Sequence, residues 1–141
     1  MKLLIDGNVL LDVLQKREPH FEDSSMIWKM CETGLLDGRV SALTFANLVY
    51  VMRKELKPET IHEVLTKLSL IFSLEDLTAA DINTAAGMKW DDFEDAVQAA
   101  MAKRIHADYI ITRNVKDFRN SAVVAFTPKE FLARQTNKKL R

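Results

Sequence analysis

The sequence sets carboxylates at positions from which a fold could bring them together. Asp6 closes a short apolar run from Lys2 to Ile5, and Asp91, Asp92 and Asp95 stand just ahead of an alanine-rich segment. Asn114 and Asp117 follow a second apolar run that ends at Thr112. Asp92 and Asp95, three residues apart, lie about 60° apart on a helix and would share a face, bordered by the small residues Ala96 and Ala99. Carboxylates gathered from separate elements repel one another unless cations neutralise them, and oxygen donors select a hard ion such as Mg²⁺ or Mn²⁺. Such ions promote hydrolysis of phosphodiesters by activating water and neutralising charge on the phosphoryl oxygens.

Each acid also has a structural reading. Asp91 and Glu94 have the N-cap and N3 spacing of a capping box, which is preferred for that pair. Asp92, in a first helical turn, is favoured by the helix dipole alone. Asp95 lies at the limit of that effect. Asp6 could form an Asx turn, but an acid that ends a buried strand is costly unless paired or metal-bound. Asp12, Asp23, Asp37, Glu55, Glu63, Glu75, Asp76 and Asp81 read as solvated or capping charges. Other chemistries fit poorly: there is no glycine-rich phosphate loop, no GxSxG elbow and no HExxH pair among His20, His62 and His106. Cys31 reads as core filler, and Trp28 and Trp90, without basic residues interleaved, read as core packing rather than a stacking platform.

The elements that must position these residues alternate between short apolar runs and longer stretches of helical period, the pattern of a parallel sheet wrapped by helices. Strands are expected at Lys2 to Ile5, Arg39 to Leu43, Phe72 to Leu74, Ala107 to Thr112 and Val123 to Phe126. Helices are expected after Asn8, from His20 to Leu35, after an N-cap at Thr44, from Pro58, from Thr78 to about Lys89, from Asp91 to Ile105, and after Thr127-Pro128-Lys129-Glu130. In such a sheet the crevice lies at the carboxyl ends of the strands, where Asp6, Asn114 and Asp117 fall.

The 141 residues suit one domain, read as 1–134 with a basic, flexible tail at 135–141. The 20 basic and 20 acidic residues cancel, which excludes a binder held to nucleic acid by bulk charge. The single cysteine excludes an internal disulfide and a CxxC metal knuckle. Asp6 and Asp12 interrupt what would be the apolar part of a signal peptide, and no membrane-length apolar run occurs, so a cytoplasmic protein is expected. The neutral sum conceals asymmetry: seven acids face Lys89 alone between Glu75 and Asp95, and eight bases face Asp117 and Glu130 from Arg113 onward.

Four segments, MKLLIDGNVLLDVLQKREP, VSALTFANLVYVMRK, DFEDAVQAAMAKRIHADYIITRNVKDF and TPKEFL, together resemble a PIN domain over nearly the whole chain, most like the toxins of prokaryotic VapC type. The resemblance implies a three-layer, doubly wound α/β fold and an acidic pocket with Mg²⁺ or Mn²⁺. It also implies cleavage of RNA, a cognate antitoxin protein and a homodimer. It assigns Asp6, Asp95 and Asp117 to catalysis and metal binding, with Asp92, Asn47 and Asn114 assisting, and makes Asn8 a helper that orients Asp6 or a metal-bound water. Two departures stand out: Asn47 where many members carry Glu, and Asn114 where many carry Asp, so the pocket brings less negative charge. Arg53, Arg113 and Lys116 are candidates for holding RNA phosphates. Two readings follow: a metal-dependent endoribonuclease of toxin type, or a PIN-fold RNA- or protein-binding module that has lost catalysis. A plain scaffold is disfavoured by the cost of clustered buried acids.

Overall fold

The computed structural model describes residues 1–139, with side chains through 137. Five strands, β1 (Lys2–Ile5), β2 (Asp37–Ser41), β3 (Ser73–Glu75), β4 (Tyr109–Ile111) and β5 (Ala125–Phe126), form one sheet in the order β3-β2-β1-β4-β5. All neighbours are parallel. Around it pack α1 (Gly7–Leu14), α2 (Phe21–Glu32), α3 (Ala42–Met52), α4 (Pro58–Ile71), α5 (Ala79–Met88), α6 (Phe93–Arg104) and α7 (Pro128–Lys139), with a short 3-10 turn at Val115–Phe118. This is the doubly wound α/β architecture expected from the alternation of elements.

The strand order explains where a site can form. The chain winds outward from β1 through β2 to β3, then crosses back to place β4 on the other side of β1. The connections therefore diverge between β1 and β4 and leave a crevice at their carboxyl ends. The two strands pair in register, Leu3 with Tyr109, Leu4 with Ile110 and Ile5 with Ile111. Alternation along β1 sends Leu3 and Ile5 into one core with Val9, Leu10, Ile27, Leu48, Leu68 and Phe131. Leu4 points into the other with Ala96, Met101, Ile110 and Phe118. α6 is buried at every position from Asp95 to Ala102; its alanines let it lie close to the sheet.

Several boundaries differ from the sequence expectations, each for a local reason. Gly34, at φ 82°, ends α2 before Leu35. Leu35 is consequently exposed at 71%, and Leu36 takes the inward place at 7%. β2 ends at Ser41, whose hydroxyl accepts from Leu43 N–H, so Ser41 caps α3 and Thr44 is buried inside it. The expected box of Asp91 and Glu94 is not formed: Asp92 is the N-cap of α6 and accepts from Asp95 N–H at 3.0 Å. The boxes at Thr78 with Asp81 and at Thr127 with Glu130 are both reciprocal. α7 continues past Arg134, where fraying was expected; residues 140–141 lie outside the described residues.

Candidate active site

At the crevice, Asp6 is both the last residue before α1 and its N-cap. Its Oδ1 accepts from Gly7 N–H at 2.8 Å, so the local Asx geometry is present. Its Oδ2 accepts from the Thr112 hydroxyl at 2.8 Å and more weakly from Asn8 Nδ2 at 3.4 Å. Thr112, fully buried at the end of β4, accepts in turn from Asn114 N–H at 3.1 Å. Asn8 also takes the Arg113 N–H on its Oδ1 at 3.3 Å. The side chains ending β1 and β4 are thus cross-linked, and the orientation of Asp6 is fixed from both strands.

Asp6 faces a cavity of about 220 Å³ whose wall also includes Asn8, Thr44, Asn47, Asp92, Glu94, Asp95 and Asn114. α6 enters this wall by its N-terminus. Because its N-cap is Asp92, Glu94 falls at N2 and reaches across to α3, accepting from Asn47 Nδ2 at 2.6 Å. Gln98, one turn further on, donates to Thr44 Oγ1 at 2.7 Å, which fastens α6 to α3 beneath the cavity.

The electrostatics follow from this crowding. Burial foremost raises Asp6 above the ordinary carboxylate range against the hydrogen bonds from Thr112 and Gly7, and Asp92 adds to the rise. Asp95 is pushed up to about 7, by burial first and then by the charges of Asp92, Asp6, Asp117 and Glu94. Glu94 is raised by burial and by Asp6 and Asp92, against the hydrogen bond from Asn47. Acids whose charged forms are disfavoured by burial and mutual repulsion at a strand-end crevice are acids that a cation would relieve.

The candidates from sequence are distributed unevenly. Asp6, Asn8, Asp92, Asp95, Asn47 and Asn114 meet at the cavity. Asp117 is exposed on the 3-10 turn and lines an adjoining cavity with Lys116, reaching Asp95 through its charge. Arg113 is turned inward: its Nε lies 2.9 Å from Oδ2 of Asp12, which is wholly buried and also accepts from Ser24 Oγ at 3.0 Å. Asp12 is therefore a core charge and not the solvated one expected, and Arg113 is its counter-ion. Arg53 stacks on the exposed Tyr50 ring at 4.2 Å. Glu94 and Thr112 were not singled out from sequence. Thr112 was within reach of that reading, since the residues that follow paired strands must adjoin; Glu94 was hidden by its fit to a capping box.

The family model for the PIN domain matches residues 2–116. The chain belongs to the PIN domain family. No curated protein matches it significantly. Among solved structures, it is similar to VapBC2 from Rickettsia felis bound to a DNA fragment from its promoter. The TM-score is 0.68 at 15% identity, over 90% of this chain and 98% of that one. FitAcB from Neisseria gonorrhoeae gives 0.66 at 22% identity, over 90% and 98%. VapC20 from Mycobacterium tuberculosis, a toxin that cleaves the sarcin-ricin loop, gives 0.62 at 13% identity, over 77% and 86%. At these identities the structural likeness establishes the fold of this PIN domain.

The residues present suit a hard divalent ion. Every donor at the cavity is a carboxylate, amide or hydroxyl oxygen; Arg113, paired with Asp12, offsets the rise of Asp6 only as the smallest influence, and the influences on Asp95 are burial and carboxylates. Among the described residues, no three acidic, imidazole or thiol side chains stand in ligating geometry. One or two carboxylates that share the ion with water and substrate phosphate suffice for Mg²⁺.

Proposed function

We propose that this PIN domain is a metal-dependent endoribonuclease that acts in the cytoplasm as the toxin of a toxin–antitoxin pair. The observation that carries this reading is the meeting of Asp6, directly after β1, and Asp95 from α6, both with raised pKa, at one cavity in the β1/β4 crevice. Asp6 and Asp95 would hold Mg²⁺ or Mn²⁺, with Glu94, Asn114 and Asp92 beside them and Asp117 contributing charge from the adjoining turn. When bound, the ion would supply an activated water and neutralise the phosphoryl oxygens. Thr112 and Asn8 keep Asp6 in one orientation, so little reorganisation accompanies catalysis. Asn47 steers Glu94 toward the cavity; the carboxylate missing at position 47 is then supplied from α6.

The toxin–antitoxin setting is supported by the similar solved structures, several of which are complexes of toxin and antitoxin. An antitoxin partner and a homodimer are part of the proposal. No helix among the described residues is long and apolar enough to cross a membrane. A second reading, a binding module without catalysis, is favoured by the amides Asn47 and Asn114 in a wall that could have carried two more carboxylates.

The deciding experiment is cleavage of a panel of RNAs with Mg²⁺ or Mn²⁺ by wild type, Asp6→Asn and Asp95→Asn. Cleavage that needs metal and is lost in both variants is expected. Retained RNA binding with no metal-dependent cleavage by wild type would leave the binding module.

A further inference from the structure

The acidic cavity has no lysine or arginine in its wall, yet a polyanionic substrate must be drawn against its carboxylates. Of the basic residues suggested from sequence, Arg113 is occupied by Asp12 and Arg53 lies over Tyr50. The compensating charge is found next door. A second cavity of about 360 Å³ shares Asp92 with the acidic one and is lined by Lys89, Trp90, Lys116 and Arg119, together with Asp91, Asp117 and Asn120. Its walls come from two distant segments, the loop joining α5 to α6 and the 3-10 turn after β4. Lys89, exposed and at φ 57°, turns the chain between α5 and α6. Lys116 and Arg119 are exposed on the opposite wall.

Two features distinguish this cavity from an ordinary polar surface. First, none of the three bases makes a side-chain ion pair among the described residues, although Asp91, Asp92 and Asp117 line the same space. Asp92 is occupied as the cap of α6, and both Asp92 and Asp117 act on Asp95. Asp92 and Asp117 thus act on the neighbouring cavity, which leaves Asp91 alone among the lining acids against Lys89, Lys116 and Arg119. Second, Trp90 lies among those bases, half-buried, with its ring edge-on to Phe118 at 6.0 Å. Lys89 precedes Trp90 in the sequence, and the fold brings Lys116 and Arg119 to it. Bases for phosphate beside an aromatic surface for ribose or nucleobase are the elements of a single-strand binding groove, and the volume falls at the small end of the range for ligand sites of roughly 300–1,000 Å³.

We propose that this second cavity is a nucleotide subsite, in which Lys89, Lys116 and Arg119 hold the phosphate of single-stranded RNA flanking the scissile bond at the acidic cavity. The inference rests on the nuclease reading for its substrate, and the assay separates the two. Binding of a short fluorescein-labelled single-stranded oligoribonucleotide is followed by anisotropy in EDTA, from about 50 to about 200 mM salt. Wild type is compared with Lys116→Ala/Arg119→Ala, with Lys89→Asn, which tolerates the left-handed backbone, and with Lys67→Ala on exposed α4 as control. Cleavage of the same RNA with Mn²⁺ is measured in parallel.

The double variant is expected to bind several-fold more weakly, and its slope of log affinity against log salt to fall by roughly 1.4, about 0.7 per lost phosphate contact on a single strand. In cleavage, KM should rise by the same factor with kcat little changed, and Lys67→Ala should match wild type. If wild type cuts RNA but the variants match it in affinity, salt slope and KM, the subsite is refuted and the nuclease reading stands. If wild type binds RNA through Lys116 and Arg119 without cutting it, the subsite stands and the nuclease reading falls. Absence of any RNA binding by wild type overturns the subsite.

Discussion

Replacing Arg113 by methionine should destabilise the fold more than it changes any contact with RNA. Asp12 is fully buried in α1; its Oδ2 accepts from the Ser24 hydroxyl and lies 2.9 Å from Arg113 Nε in an ion contact without hydrogen-bond geometry, and its Oδ1 has no hydrogen-bond partner among the described residues. Removing one partner of a buried ion pair leaves an uncompensated charge at a cost of about 3–5 kcal/mol. The guanidinium is 26% exposed, so water can approach the vacated position and the lower end, about 3 kcal/mol, is expected. With about 2.1 cal/mol/K of unfolding entropy per residue, 141 residues give roughly 0.3 kcal/mol/K, and Tm should fall by roughly 10 °C. The double variant Asp12→Leu/Arg113→Met removes both charges and should recover most of that loss, since apolar replacement of a whole buried pair is often close to neutral. Circular dichroism melts of the four members of this cycle, metal-free and at neutral pH, give the coupling. A Tm for Arg113→Met within about 2 °C of wild type, less than about 1 kcal/mol for a chain of this size, with a clear loss of RNA affinity, would refute the pairing argument. Arg113 would then be the phosphate contact that its position in the sequence suggested.

Asp95 sets a pH dependence. Its pKa is near 7 in the fold against 3.8 when unperturbed, so the folded state binds more protons than the unfolded one between those values, and metal-free stability should fall as pH rises through that window. Asp95→Asn should therefore gain in Tm relative to wild type as pH rises from about 4 to about 7; a difference that stays constant with pH would contradict it. Mn²⁺ affinity by calorimetry should drop roughly 10-fold in Asn47→Ala, which frees Glu94, as is typical when the partner of a ligand is lost. It should rise in Asn114→Asp; unchanged affinity in both would mean that neither amide serves the cavity. Gly38→Ala should cost about 1–3 kcal/mol by overpacking, because its Cβ would lie 2.7 Å from Cys31 Sγ and 2.8 Å from Phe72 Cδ1. Denaturant unfolding at wild-type stability would show that these neighbours can give way.

Local chemistry in the sequence determined much of this protein. The apolar runs at Lys2 to Ile5 and Tyr109 to Ile111, the helical periods between them and the proline and threonine caps suffice for a parallel sheet wrapped by helices. Their effects act over a few residues and are visible in one dimension. The placement of Asp6 and Asn114 follows from the same pattern, because strand ends in a parallel sheet share one edge. What the sequence left open depended on shifts of one residue or on partners far along the chain. Asp91 and Asp92 are equally good caps in one dimension; the fold uses Asp92, which places Glu94 at N2, where it accepts from Asn47. Asp12 has the look of a surface charge in an amphipathic helix until Ser24 and Arg113 close over it. Lys89 and Trp90 lie far in sequence from Lys116 and Arg119, and only the crossing from α5 through α6 to β4 brings them to one cavity. Periodicity records which face of an element is apolar, whereas the pairing of buried charges and the walls of a pocket are set by contacts between elements, and those exist only once the sheet has closed.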